Sequence, residues 1–213
     1  MFVLTIDQRG SRSTGDKVPE LLAILAQVDT VVPFERSVGD EVQGVIDDPL
    51  AVVDAVARTL RERDWYIGIG IGPVDLPLPA ASREGSGAAF VAARGAIDAA
   101  KKTGERVPLV IRGSAVSEWA DAAEAVLVLF GDVVRRRSAA EWRVLDALSA
   151  APGATQKDVA ASLGITAQAV SKAIVRSGRQ EELNGRRAAA LLLSHATKCS
   201  LNVGADRYCE GNG

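Results

Sequence analysis

Cysteine, histidine and aromatic side chains are all scarce in this chain. The two cysteines, Cys199 and Cys209, are too few for a disulfide framework and lack the second ligand pair a zinc site needs. The one histidine, His195, has no second ligand beside it and reads as a surface residue. Aromatics make up only 4 % of the chain, so the core must be built from Ala, Val, Leu and Ile. No run is apolar enough to span a bilayer. The opening "MFVLTID" reads as a strand rather than a leader. The expected location is the cytoplasm, with no membrane partner.

What is present is a large apolar fraction, 47 % of 213 residues, which excludes wholesale disorder and suits one or two domains. The formal charge of −2 says little, but its distribution is uneven. Residues 1–132 carry 13 basic and 20 acidic side chains, and residues 133–196 carry 10 and 5. An acidic front and a basic back predict two parts with different partners. The last segment, 197–213, "TKCSLNVGADRYCEGNG", has no period and is expected to be a disordered polar tail.

In the front part, "FVLTID" predicts a strand, residues 18–28 a helix, and "TVVPFERSV" with "EVQGVI" the arms of a hairpin. Residues 49–63 follow as an amphipathic helix with Pro49 in its first turn. "WYIGIGIG" alternates strictly and predicts a strand whose glycines leave room for a close neighbour. A helix from 88 closed by Gly104, a strand "RVPLVIRG", and a long helix over 114–137 capped by Ser114 or Ser117 complete the front. The order β-α-β-β-α-β-α-β-α predicts an α+β fold, a sheet covered on one side by helices. The glycines of "IGIGIG" lie inside a strand with no helix at its end, so a dinucleotide loop is excluded.

The tip "VGDE" between the hairpin arms places Asp40 and Glu41 side by side. Such a tip is either a solvated turn or one jaw of a metal or phosphate site. Four motifs bear on the choice: "TIDQRGSRS", "SVGDEVQG", "IGIGIGPV" and "GSGAAFVAARGAI". In this order they resemble the nucleotidyl cyclase catalytic fold, a ferredoxin-like sheet with helices, and within it the SatD-like proteins. The resemblance covers residues 1–113. It implies that Asp7 and Asp40 are metal carboxylates for Mg²⁺ with a nucleotide, the only cofactor it suggests. Arg9, Arg12 and Arg94 join Glu41 as candidate nucleotide contacts. It also implies pairing of two copies. One departure weighs against catalysis: Phe90 stands where such cyclases place an Asn four residues before the Arg, and a phenyl ring donates no hydrogen bond to developing charge. Arg9, Arg12 and Arg94 are equally read as structural partners of the same acids.

In the back part, residues 138–196, "SAAEWRVLDALSA" predicts a helix. Thr155 caps a second, with Asp158 three residues on. Gly164 makes a turn, and Thr166 caps a third helix, "AQAVSKAIVRS". Cap, small alanines, glycine turn, cap and an exposed polar face form a helix-turn-helix pattern, in an all-α domain. It resembles the DNA-reading half of MarR-like and sigma-like regulators over 139–178, with double-stranded DNA as the implied partner. The candidate contacts are Thr155, Gln156, Thr166, Gln168, Ser171, Lys172 and Arg176. Gln suits an adenine edge, and Lys or Arg suits guanine or phosphate. Arg135, Arg136 and Arg137 either add positive charge for DNA or simply favour a helix C-terminus. "RRAAALLLSHA" predicts a helix where a winged domain would have a hairpin, with Leu191, Leu192 and Leu193 as a packing or dimer surface.

Two functions remain open on these residues. One is a homodimeric transcription regulator whose cyclase-like front pairs the copies and senses a nucleotide. The other is a Mg²⁺-dependent nucleotidyl cyclase, or a related nucleotide-processing enzyme, with a DNA-binding domain attached.

Overall fold

The computed structural model describes residues 1–114 and 117–202. The front part opens with β1 (Phe2–Gln8), a one-turn α1 (Ser11–Thr14) inside the expected loop, and α2 (Val18–Leu25). The hairpin β2 (Val32–Arg36) and β3 (Glu41–Ile46) leads to α3 (Pro49–Arg61). The Asp48 carboxylate caps α3 by accepting from the Leu50 and Ala51 amides, with Pro at the first helical position where no amide is missed. Then come β4 (Trp65–Ile71), α4 (Ala88–Ala100), β5 (Leu109–Gly113) and α5 (Glu118–Arg136). Ser117, not Ser114, caps α5.

The strands form one sheet in the order β2-β3-β1-β4-β5. The first three pairings are antiparallel, and β4 with β5 is parallel. Thus β3 lies between β1 and β2, and β1 between β3 and β4, giving two interlocked split β-α-β units.

The pleat sends alternate residues to opposite faces. Phe2, Leu4, Ile6, Ile67, Ile69 and Ile71 face the main core, with side chains from α2, α3 and α5. Val3, Val45, Ala89 and Ala93 form a second cluster on the opposite face, under α4. Helices therefore cover both faces, not one as the sequence predicts. The reason is Gly68 and Gly70. A Cβ on Gly68 would stand 2.4 Å from the Ile97 amide nitrogen, and one on Gly70 would stand 2.0 Å from the Ala89 carbonyl oxygen. The room left by these glycines is filled by α4 itself.

The back part is wholly helical: α6 (Ala139–Ala150), α7 (Gln156–Leu163), α8 (Ala167–Arg176) and α9 (Arg179–Asn202). The last helix starts directly after Gly178, whose φ of 60° turns the chain. It then runs back along α5 and α3. Ala189, Ala190, Leu193 and Ala196 join the main core, while Leu191 stays exposed. Because α9 continues through Asn202, residues 197–202 of the predicted tail are helical. Cys209 and the rest of that tail lie outside the described residues.

Candidate DNA-reading surface and the acidic end of the sheet

The three helices α6, α7 and α8 close on a small core of Val144, Val159, Ala160 and Val170. Local chemistry fixes each helix start. Ser138 and Glu141 form a reciprocal capping box on α6. Thr155 and Asp158 form another on α7, the Thr155 hydroxyl donating to the Asp158 carboxylate at 2.7 Å. Gly164 ends α7 with φ 65°, a left-handed conformation that glycine adopts without penalty. The Thr166 hydroxyl caps α8 by accepting from the Ala169 amide at 3.1 Å. The hydroxyls of Thr155 and Thr166 are thus occupied as caps.

The other candidates are free. Gln156, Gln168, Ser171, Lys172 and Arg176 are all exposed. None makes a side-chain hydrogen bond or ion pair among the described residues. No acid lies in the first turn of α8, so its amide end is unopposed for a phosphate. Val170 is fully buried, and it fixes which side of α8 faces outward. The result is an exposed helix with unpaired polar and cationic side chains, set on a helix packed behind it.

Residues 137–176 match the MarR family model. The match spans α6, α7 and α8, and it points to a DNA-binding transcription regulator. The chain matches none of the curated proteins and none of the solved structures compared with it. The MarR-like part carries no wing: no strand follows β5 among the described residues. Among those residues, too, no helix is long and apolar enough to cross a membrane.

The arginine run before the MarR-like part is engaged inside the molecule. Arg135 donates to the Arg63 carbonyl at 2.8 Å, and Arg136 pairs with Asp132. Arg137 is 2 % exposed. Its Nε donates to the Ser177 carbonyl at the end of α8 (2.8 Å), and its Nη1 meets Glu182 at 2.6 Å.

At the acidic end of the sheet, the β1–β3 register sets Asp7 opposite Glu41. Asp40 lies in the turn, at the hairpin tip, and its carbonyl accepts from the amide of Gln8, the residue after Asp7. It lines a shallow depression with Ser11, Asp16, Arg36 and Gly39. Lys101, which the sequence reading did not single out, holds Asp7 at 2.6 Å. Arg94 holds Glu41 at 3.0 Å. Arg9 lies over the Tyr66 ring, 5.1 Å from its centre, and Tyr66 is the β4 neighbour of Asp7. The side chain of Arg12 lies outside the described residues. Both paired acids are thus countered by cations on α4 or at its C-cap, and no three metal-ligating side chains gather among the described residues. Of the two carboxylates expected to hold Mg²⁺, Asp7 is already paired with Lys101.

Glu41 is nearly buried, and its Oε1 has no partner. Burial pushes its carboxyl above the ordinary range, Arg94 opposes this, and the Asp7 charge adds to it. An acid whose folded pKa is raised stabilises the fold below its ordinary pKa of about 4.3 and loses that contribution as pH rises through the raised value. Glu41→Gln is therefore expected to remove this loss. Urea melts from pH 4 to pH 8 should fall less steeply with pH in the variant than in the native chain. Equal slopes would show that Glu41 titrates alike in the folded and the unfolded chain.

Beside this end, Ser37, Gln43, Arg83, Ser86, Phe90 and Arg94 line an open groove of about 400 Å³. Phe90, at the position expected for a donor, contributes an aromatic wall.

Proposed function

We propose that this chain is a cytoplasmic, DNA-binding transcription regulator that works as a homodimer, with a cyclase-like, SatD-like front part that responds to a nucleotide. The observation that carries the reading is α8: an exposed helix with Gln168, Ser171, Lys172 and Arg176 unpaired, inside the segment that matches the MarR family. The reading module is taken as 138–196, with α9 also anchoring it to α5 and α3. The interlocked β-α-β units of residues 1–113 support the cyclase-like part of the proposal, joined to the module by 114–137. The groove at Arg83, Phe90 and Arg94 supports nucleotide sensing, with an aromatic wall for a base and two guanidiniums for phosphates. The enzyme reading is the less favoured one, because Phe90 gives no donor and Asp7 is already paired with Lys101.

The test is by substitution on α8. Gln168→Ala is expected to cost about 1–3 kcal/mol and to relax specificity at one base pair. Lys172→Ala is expected to weaken all sequences alike and to lower the salt slope by about one. If neither changes DNA affinity, α8 is not the reader.

Paired half-sites on DNA lie about 34–36 Å apart and require two copies of the reader. Light scattering at micromolar concentration is expected to give twice the chain mass. A monomer both with and without DNA would remove the dimer from the proposal.

A further inference from the structure

A cavity at the junction of the two parts holds an unanswered charge. It measures about 500 Å³ and lies between α3, α6 and α9. Arg58 and Arg61 come from α3, Trp142 and Asp146 from α6, and Arg179 and Arg186 from α9. Buried Arg137 completes the wall.

Every acid in the lining is already committed. Arg58 and Arg186 both hold Asp54, at 2.6 and 3.1 Å. Arg61 grips Asp146 with two bonds of 2.7 Å. Glu182 is shared by Arg137 and Arg186. Five arginines thus face three carboxylates, and two donors are left over. Arg179 makes no ion pair or hydrogen bond among the described residues. The Nη2 of Arg137 is buried with no hydrogen-bond partner. A buried guanidinium N–H without an acceptor is costly. The Trp142 ring, 4.8 Å from Arg137, is already covered by Arg61 at 4.2 Å and is only a weak acceptor.

We propose that this cavity binds a small organic oxyanion, a carboxylate- or phosphate-bearing metabolite, whose charge is balanced by Arg179 and by the guanidinium of Arg137 in the wall. The volume suits a metabolite-sized guest. The site is distinct from the groove at Arg83 and Arg94, and it does not depend on the DNA-binding reading. The same Arg137 guanidinium holds the carbonyl of Ser177 that ends α8.

The probes are inorganic phosphate and sodium acetate, each titrated into the full chain at constant ionic strength with chloride as the reference. Melting temperature and titration calorimetry are the readouts. A saturable rise with at least one anion is expected, and the responding anion tells phosphate from carboxylate. Arg137→Lys, which keeps the charge but loses Nη2, is expected to weaken the effect about tenfold. Arg179→Gln breaks no side-chain bond among the described residues, so it serves if the first variant does not fold, and it too should weaken binding several-fold. No saturable response to either anion would overturn the proposal and leave water as the occupant of the cavity. Binding unchanged by both variants would overturn it equally.

Discussion

Gly70→Ala is expected to cost about 3 kcal/mol or more of folding stability. The added Cβ would lie 2.0 Å from the Ala89 carbonyl oxygen and 2.4 Å from the Ala93 amide nitrogen. Both are backbone atoms of α4, so no side-chain rotation relieves the clash. Helix and strand must separate, and Val3, Val45, Ala89 and Ala93 lose their packing together. Gly95 is the control within the same helix. Nothing lies within 4 Å of a Cβ built there, and alanine is the better helix former. Gly95→Ala is expected to stabilise the chain by about 0.5–1 kcal/mol. Urea melts of the two variants should thus move in opposite directions. Equal stability of Gly70→Ala and the native chain would mean that α4 does not sit on β4 as described.

Arg137→Ala should be nearly as damaging, at about 3 kcal/mol, the lower end for breaking a buried ion pair. The lower end applies because Glu182 keeps Arg186 at 2.7 Å. The Ser177 carbonyl loses its charged donor, and Trp142 loses one of its two cations. For a chain of this size the melting temperature should fall by about 6–12 °C. A change of under about 1 °C would show that the arginine run is a solvated helix end after all. The same loss should loosen α6, α7 and α8 from the front part, because Arg137 joins the end of α8 to the start of α9.

These two residues also mark where the sequence was readable and where it was not. Turn and cap chemistry is local, so Thr155, Gly164 and Thr166 announced the helix boundaries, and the structure places caps at all three. The alternation of "WYIGIGI" likewise revealed β4 and the need for a close neighbour. It did not reveal which element fills that space, because the contact with α4 depends on the crossover to β5. The register partner of Asp7 was not legible either. Register in a hairpin depends on the turn, and here the turn retains Asp40 and delivers Glu41 opposite Asp7. Lys101 lies 94 residues from its partner Asp7, so no local pattern connects them. Arg137 looked like part of a solvated charge run. Its burial is set by α9 returning against α5, and by Ser177 and Glu182, which reach it only when the chain has turned at Gly178.

The central claim is that α8 reads DNA. The direct test is to incubate the full chain with fragmented genomic DNA, recover the bound fragments, and measure their affinity at two salt concentrations. The native chain and the double variant Gln168→Ala/Lys172→Ala are compared side by side. The native chain is expected to enrich a defined set of fragments, binding them at least about 10³-fold more tightly than random sequence. The double variant, folded to the same melting temperature, is expected to lose that preference and show a shallower salt slope. Enrichment of no fragment, or equal binding by the two proteins, would contradict the account.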